Sequence, residues 1–275
     1  IKLINIKILA ACLPRKIFLF FMGNIFKIIT PSTVNSVRAE AGFKFGEKGT
    51  HSSRTMMLEE LRSLLKAVSG KVNKIDYAHS VVEENSLGKR TLSTRKESLQ
   101  RLKSLYGLDP ELLYFKVMRD LWDVSEDSQP LLALLLSIAR DPLLRISATP
   151  VIETPFGKEF SRQTMTDALT EETEDRFNAS TLDKIVRNAS SSWTQSGHLE
   201  GRARKFRTQV HPTPVVCAFA LFIAYSLGLR GQDLFDNPWG RVLDLDSADF
   251  RELADDAKRM GFLNIKSMGT IIEVS

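Results

Sequence analysis

Residues 128–145 read SQPLLALLLSIARDPLLR, and this stretch decides the fold class. From Leu131 to Ala139 it is apolar on every side, broken by Ser137 alone. A helix without a polar face belongs at the centre of a core. Pro130 suits a first helical turn, and Asp141-Pro142 opens a further short turn. The expectation is an all-α, multi-helix bundle built around this segment.

The neighbouring segments repeat the helical signature. On the N-terminal side, Ser53 precedes a stripe of Met57, Leu58, Leu61, Leu64, Leu65 and Val68. Thr94 and Glu97 have capping-box spacing before a helix that Gly107 ends. Asp109-Pro110 opens another, anchored by Leu113, Val117, Leu121 and Trp122. On the C-terminal side, Ala148-Thr149-Pro150 reads as a break, dividing a subdomain over 37–150 from one over 151–275. A polar helix follows near 161–173, then a helix capped by Ser180 and running to Gln195. Thr213-Pro214 starts an apolar helix ending near Gly228, a short helical piece lies near 231–236, and Asp246 or Ser247 caps the last helix, closed by Gly261.

The period then changes. Leu263–Ser267 and Thr270–Val274 read as two short strands, a small C-terminal β-hairpin. Helices followed by a hairpin is the winged-helix order, in which Lys258, Arg259 and Lys266 would face a nucleic-acid backbone. The other reading is a hairpin that simply covers the core.

Charge is distributed more tellingly than the net +5 suggests. Residues 89–103 set Lys89, Arg90, Arg95, Lys96, Arg101 and Lys103 against Glu97. Residues 184–207 set Lys184, Arg187, Arg202, Arg204, Lys205 and Arg207 against Glu200. Acidic residues gather instead at Asp167, Glu171, Glu172, Glu174 and Asp175. Segregated signs build an anion-binding face. Within RNASSSWTQSGHLEGRARKFR (187–207), Arg202, Arg204, Lys205 and Arg207 suit an extended segment laid along phosphates, assisted by Arg187 and His198. Lys89, Arg90, Arg95 and Lys96 form a second candidate patch. Trp193 has either a stacking or a core role.

Catalytic patterns are not legible. Gly88-Lys89 lacks the preceding glycines of a phosphate loop. Ser190, Ser191 and Ser192 near His198 are too generic for nucleophilic catalysis. His51, His79, His198 and His211 have no metal-ligand spacing. The expectation is a protein with no enzyme activity, metal or cofactor. Cys12 and Cys217 lie far apart, which fits a reducing cytoplasm. Residues 1–36 form a leader crowded with Ile, Lys, Leu and Phe, read as an over-extended frame with Met22 as start; membrane targeting is the alternative. The apolar segment 214–229 is shorter than the roughly 20 residues a spanning helix needs.

Several islands together resemble one family: SRTMMLEEL (53–61), LGKRT (87–91), RLKSLYGLD (101–109), LWD (121–123), PLLALLLSIARDPLLR (130–145), TLDKIVRN (181–188), SSWTQSGHL (191–199), TPVVCAFALF (213–222) and MGTIIEV (268–274). They look like the BrxA family of BREX bacteriophage-defence systems, over roughly residues 36–274. The resemblance implies a non-enzymatic helical protein with a NusB-like fold. It also implies work in a cytoplasmic complex that methylates host DNA and blocks phage replication, beside methyltransferase, ATPase and phosphatase-like subunits. Double-stranded DNA is the expected partner. The alternatives are a protein–protein scaffold in the same complex, whose basic tract docks an acidic partner surface, or RNA binding suggested by the NusB likeness.

Overall fold

A computed structural model describes residues 40–46, 48–69, 72–268 and 271–274, with side chains described as far as Ile265. The expectations for the leader 1–36 and Cys12 lie outside the described residues. So does the side chain of Lys266.

After a 3-10 turn at Thr50–Ser52, the chain forms α1 (Leu58–Ala67), α2 (Lys74–Val82), α3 (Leu92–Tyr106), α4 (Leu113–Trp122) and α5 (Gln129–Arg140). Three short or polar helices follow: α6 (Pro142–Ile146), α7 (Ala148–Ile152) and α8 (Arg162–Glu172). Next come α9 (Ala179–Gln195) and a small antiparallel pair, β1 (Leu199–Glu200) and β2 (Phe206–Arg207). Then α10 (Pro214–Ser226), a 3-10 turn at Gly231–Leu234, α11 (Pro238–Val242) and α12 (Ser247–Arg259) lead into β3 (Ile265–Met268) and β4 (Ile271–Val274). The last two strands form the expected C-terminal hairpin, antiparallel with Ile265 opposite Val274.

The decisive stretch behaves as its composition requires. Every residue of α5 from Leu131 to Arg140 is buried, and the helix touches α3, α4, α9 and α10. Helix α10 is likewise buried on nearly all sides and packs on α4, α11 and α12. Its 13 residues span about 20 Å, short of a bilayer core of about 30 Å. Among the described residues, no helix is long and apolar enough to cross a membrane.

Several boundaries differ from the sequence reading. The chain does not break at 148–150. Helix α7 runs through that point, because Pro150 sits within a first turn where no N–H partner is required, and one hydrophobic core joins residues on both sides of it. Helix α3 starts at Leu92 with Thr91 accepting from Thr94 N, while Glu97 is taken up by Arg54 and Arg101. Asn178, not Ser180, caps α9. Ser53 closes the first 3-10 turn and does not start a helix.

Helix α1 begins at Leu58 behind Met57, which is held in the left-handed region at φ 54°. That conformation costs a non-glycine residue on the order of 1 kcal/mol. Long-range partners hold it there. Helix α9 carries Asn188, Ser192 and Gln195 at i, i+4 and i+7, one face of the helix. Asn188 Nδ2 donates to His51 O at 2.9 Å, Ser192 Oγ accepts from Met56 N at 2.8 Å, and Gln195 Oε1 accepts from Leu58 N at 3.2 Å. The junction after α5 does similar work. Arg140 donates to Gly42 O and Arg145 to Lys44 O, at 2.8 and 2.9 Å. Asp141 accepts from Thr50 N and His51 N. The islands ARDPLLR and SSWTQSGHL are thus two joints that seat the segment 42–58.

Candidate nucleic-acid interface

The basic tract is shaped by a short ladder. Residues 157–160 pair with β2: Gly157 N donates to Arg207 O (2.8 Å), Arg207 N to Lys158 O (2.9 Å) and Phe160 N to Lys205 O (2.7 Å). Glu159 thereby stands opposite Phe206. Side chains alternate along such a ladder, so Phe206 is partly exposed and Arg207 points inward. The loop from β1 to β2 turns at Gly201, φ 99°, where a Cβ would lie 2.2 Å from Arg204 O. Only glycine fits that turn.

This loop, the start of α8 and one side of α9 enclose an open groove of about 780 Å³. Arg162, Arg187, Arg202, Arg204 and Lys205 line it, with Glu159, Phe160, Ser161, Ser190 and Ser191. Arg187 and Ser191 fall on one face of α9, adjacent to the stripe that holds the N-terminal segment. Helix α9 therefore serves the core, the N-terminal joint and the groove with three neighbouring faces.

The cations are not equivalent. Arg202 is exposed and has no ion-pair partner among the described residues. Arg187 Nε and Arg162 Nη2 share the two oxygens of Asp183, at 3.1 and 2.8 Å. Arg204, 71% exposed, gives Nε to Glu159 Oε1 at 2.8 Å and Nη2 to Oε2. The hydrogen bonds from Arg204 pull the Glu159 carboxyl below its ordinary value. Lys205 Nζ reaches Thr194 Oγ1 at 2.7 Å, and partial burial lowers its pKa.

Two expected contact residues lie inside the protein. Arg207 donates to Val151 O, His198 O and Thr208 O and pairs with Asp244, both side chains essentially inaccessible. Its place on the inward side of the ladder removes it from any interface. His198 is fully buried: Nε2 donates to Val242 O at 2.7 Å, Nδ1 lies 2.8 Å from Ser196 Oγ, and the ring meets Trp193 edge-on. Burial pushes its pKa down to about 3, so it carries no charge at neutral pH. Trp193 is a core residue, donating to Ser147 Oγ at 2.8 Å.

The second patch is partly consumed. Lys89 pairs with Glu60 at 3.0 Å, and Arg95 donates to Val82 O and Lys89 O. Arg90 and Lys96 remain exposed. Sequence reasoning missed Arg162 and Glu159, because only the pairing of 157–160 with β2 brings them to the tract.

It also missed a buried Ser–His–Asp relay. His51 Nδ1 lies 2.9 Å from Asp141 Oδ2, and His51 Nε2 lies 2.8 Å from Ser192 Oγ. Burial alone would raise the Asp141 carboxyl, but the facing His51 and the backbone donors outweigh it and hold it low. The order of groups is that of a nucleophilic triad. All three side chains are within 1% of full burial, and Ser192 Oγ also holds Met56 N and Asn188 O. The relay acts as a clamp on the N-terminal segment.

Among the described residues, no group of three His, Cys, Asp or Glu side chains is placed to hold a metal ion. Cys217 is buried, and burial pushes its thiol up. Phe160, the aromatic residue of the groove, is 4% exposed and offers no stacking face. The groove presents guanidinium and ammonium groups suited to phosphate oxygens. No family model matches this chain, and a search of curated proteins finds no match.

Proposed function

We propose that this chain is a non-catalytic DNA-binding subunit that holds the phosphate backbone of double-stranded DNA in the groove between the β1–β2 loop, α8 and α9. The observation that carries the reading is the convergence of Arg162, Arg187, Arg202, Arg204 and Lys205 on one open groove from three separate elements. Guanidinium forks engage phosphates in paired hydrogen bonds. The lack of an exposed aromatic side chain among the lining residues leaves no platform for stacking unpaired bases and favours a duplex backbone. The islands that resemble the BrxA family support a place in a BREX-type phage-defence complex, beside methyltransferase, ATPase and phosphatase-like subunits.

Salt-titrated binding to random duplex DNA tests the DNA contact. Log affinity falls linearly with log salt, with a slope of about −3 to −5 for three to five phosphates neutralised. Negligible binding at physiological salt contradicts the reading and leaves the loop as a protein-docking surface. Co-purification with the partner subunits tests the assignment to a defence complex.

A further inference from the structure

We propose that Glu159 is a built-in counter-ion that occupies the phosphate seat on Arg204 and makes the groove selective for phosphodiester chains over single phosphate ions. The proposal rests on the polyanion reading above. The register sets the contact: Glu159 stands opposite Phe206, and Arg204, two residues earlier, is its diagonal neighbour. The carboxylate takes both Nε and Nη2 of the guanidinium. A phosphate uses the same fork with two of its oxygens. Glu159 therefore fills the seat a phosphate needs.

The latch is placed to open. Arg204 is 71% exposed and the Glu159 side chain 43% exposed, so ligand exchange requires no unfolding, and water-exposed pairs of this kind are weak. The Phe206 ring, 5.6 Å from the Arg204 guanidinium, keeps that group in place when the carboxylate leaves. Arg202, without an ion-pair partner among the described residues, takes the first phosphate. A single ion bound there gains nothing toward displacing Glu159. A chain bound there holds its next phosphate beside Arg204 at high effective concentration, and wins the fork.

A double-mutant cycle tests this with the full chain and a labelled random 20-base-pair duplex. Glu159→Gln, with Glu159→Ala as a second variant, tightens duplex binding about two- to fivefold. In the Arg204→Gln background that gain disappears. Inorganic phosphate also competes with the duplex at lower concentration in Glu159→Gln than in the native chain. An equal gain in both backgrounds means a long-range charge effect and overturns the latch while leaving the DNA reading intact. No gain in either background overturns it too. If the native chain and every variant fail to bind duplex, the DNA reading falls and the latch with it. Binding by Glu159→Gln alone means that a chain does not displace Glu159, and overturns the proposed selectivity.

Discussion

Arg207 and Asp244 form an ion pair inside the protein, 37 residues apart in the chain, with Asp244 Oδ2 also accepting from Val210 N at 2.9 Å. Burial pushes the Asp244 carboxyl up, and Arg207 pulls it back toward the charged form. The pair fastens β2 to the turn before α12. Arg207 is therefore a structural residue at the end of a binding tract.

Replacing one partner of such a pair leaves a buried charge uncompensated, which costs about 3–5 kcal/mol. Arg207→Gln is expected to lower the denaturant midpoint strongly. The double variant Arg202→Glu and Arg204→Glu is expected to leave the midpoint unchanged. Chemical denaturation of the two variants side by side checks the division of the tract into a fastening half and a binding half.

The His51–Ser192 contact predicts a second stability effect. Ser192→Ala removes the partner of Met56 N and of His51 Nε2 in a fully buried site, at a cost of about 1–3 kcal/mol. Hydrogen exchange is expected to show selective loss of protection over residues 50–58, the segment that α9 holds. Uniform loss across the chain would contradict the clamp.

Close approach at Gly49 gives a third. A Cβ there would lie 2.2 Å from Asp141 Oδ1, so Gly49→Ala must displace the carboxylate that caps α6 and receives His51. A loss of about 1–3 kcal/mol is expected, and a denaturation curve measures it.

His198 predicts a pH dependence. Its folded pKa is depressed to about 3 from an ordinary 6.5, so between those values the unfolded chain binds a proton that the folded chain refuses. Stability from this group is full above pH 6.5 and falls as pH drops toward 3, by up to about 1.4 kcal/mol per pH unit. Unfolding free energies for the native chain and His198→Gln across pH 4–7 test the sign. The variant is expected to show the shallower acid loss, and NMR is expected to show no His198 titration above pH 5.

Local signals made part of this legible in the sequence. Helix α5 declared itself by having no polar face, and α10 and α12 by Thr213-Pro214 and Asp246 at their starts. The C-terminal hairpin showed in the change of period. What could not be read was settled by partners far along the chain. The start of α1 depends on Gln195, 137 residues away. His198 is taken up by Val242 O, 44 residues on. Arg207 looks like its neighbours in the basic tract until the 157–160 ladder turns it inward. The polar residues of SSWTQSGHL resemble ligand-binding groups because internal joints use the same chemistry.

The most direct test of the central claim is duplex DNA affinity of Arg187→Glu/Arg202→Glu/Arg204→Glu against the native chain, measured at one fixed salt concentration with unfolding midpoints in parallel. All three side chains line the groove and lie outside the core. The account predicts a folded variant whose affinity drops at least tenfold and whose salt slope becomes shallower by about 2–3. A folded variant that binds duplex as tightly as the native chain would contradict it.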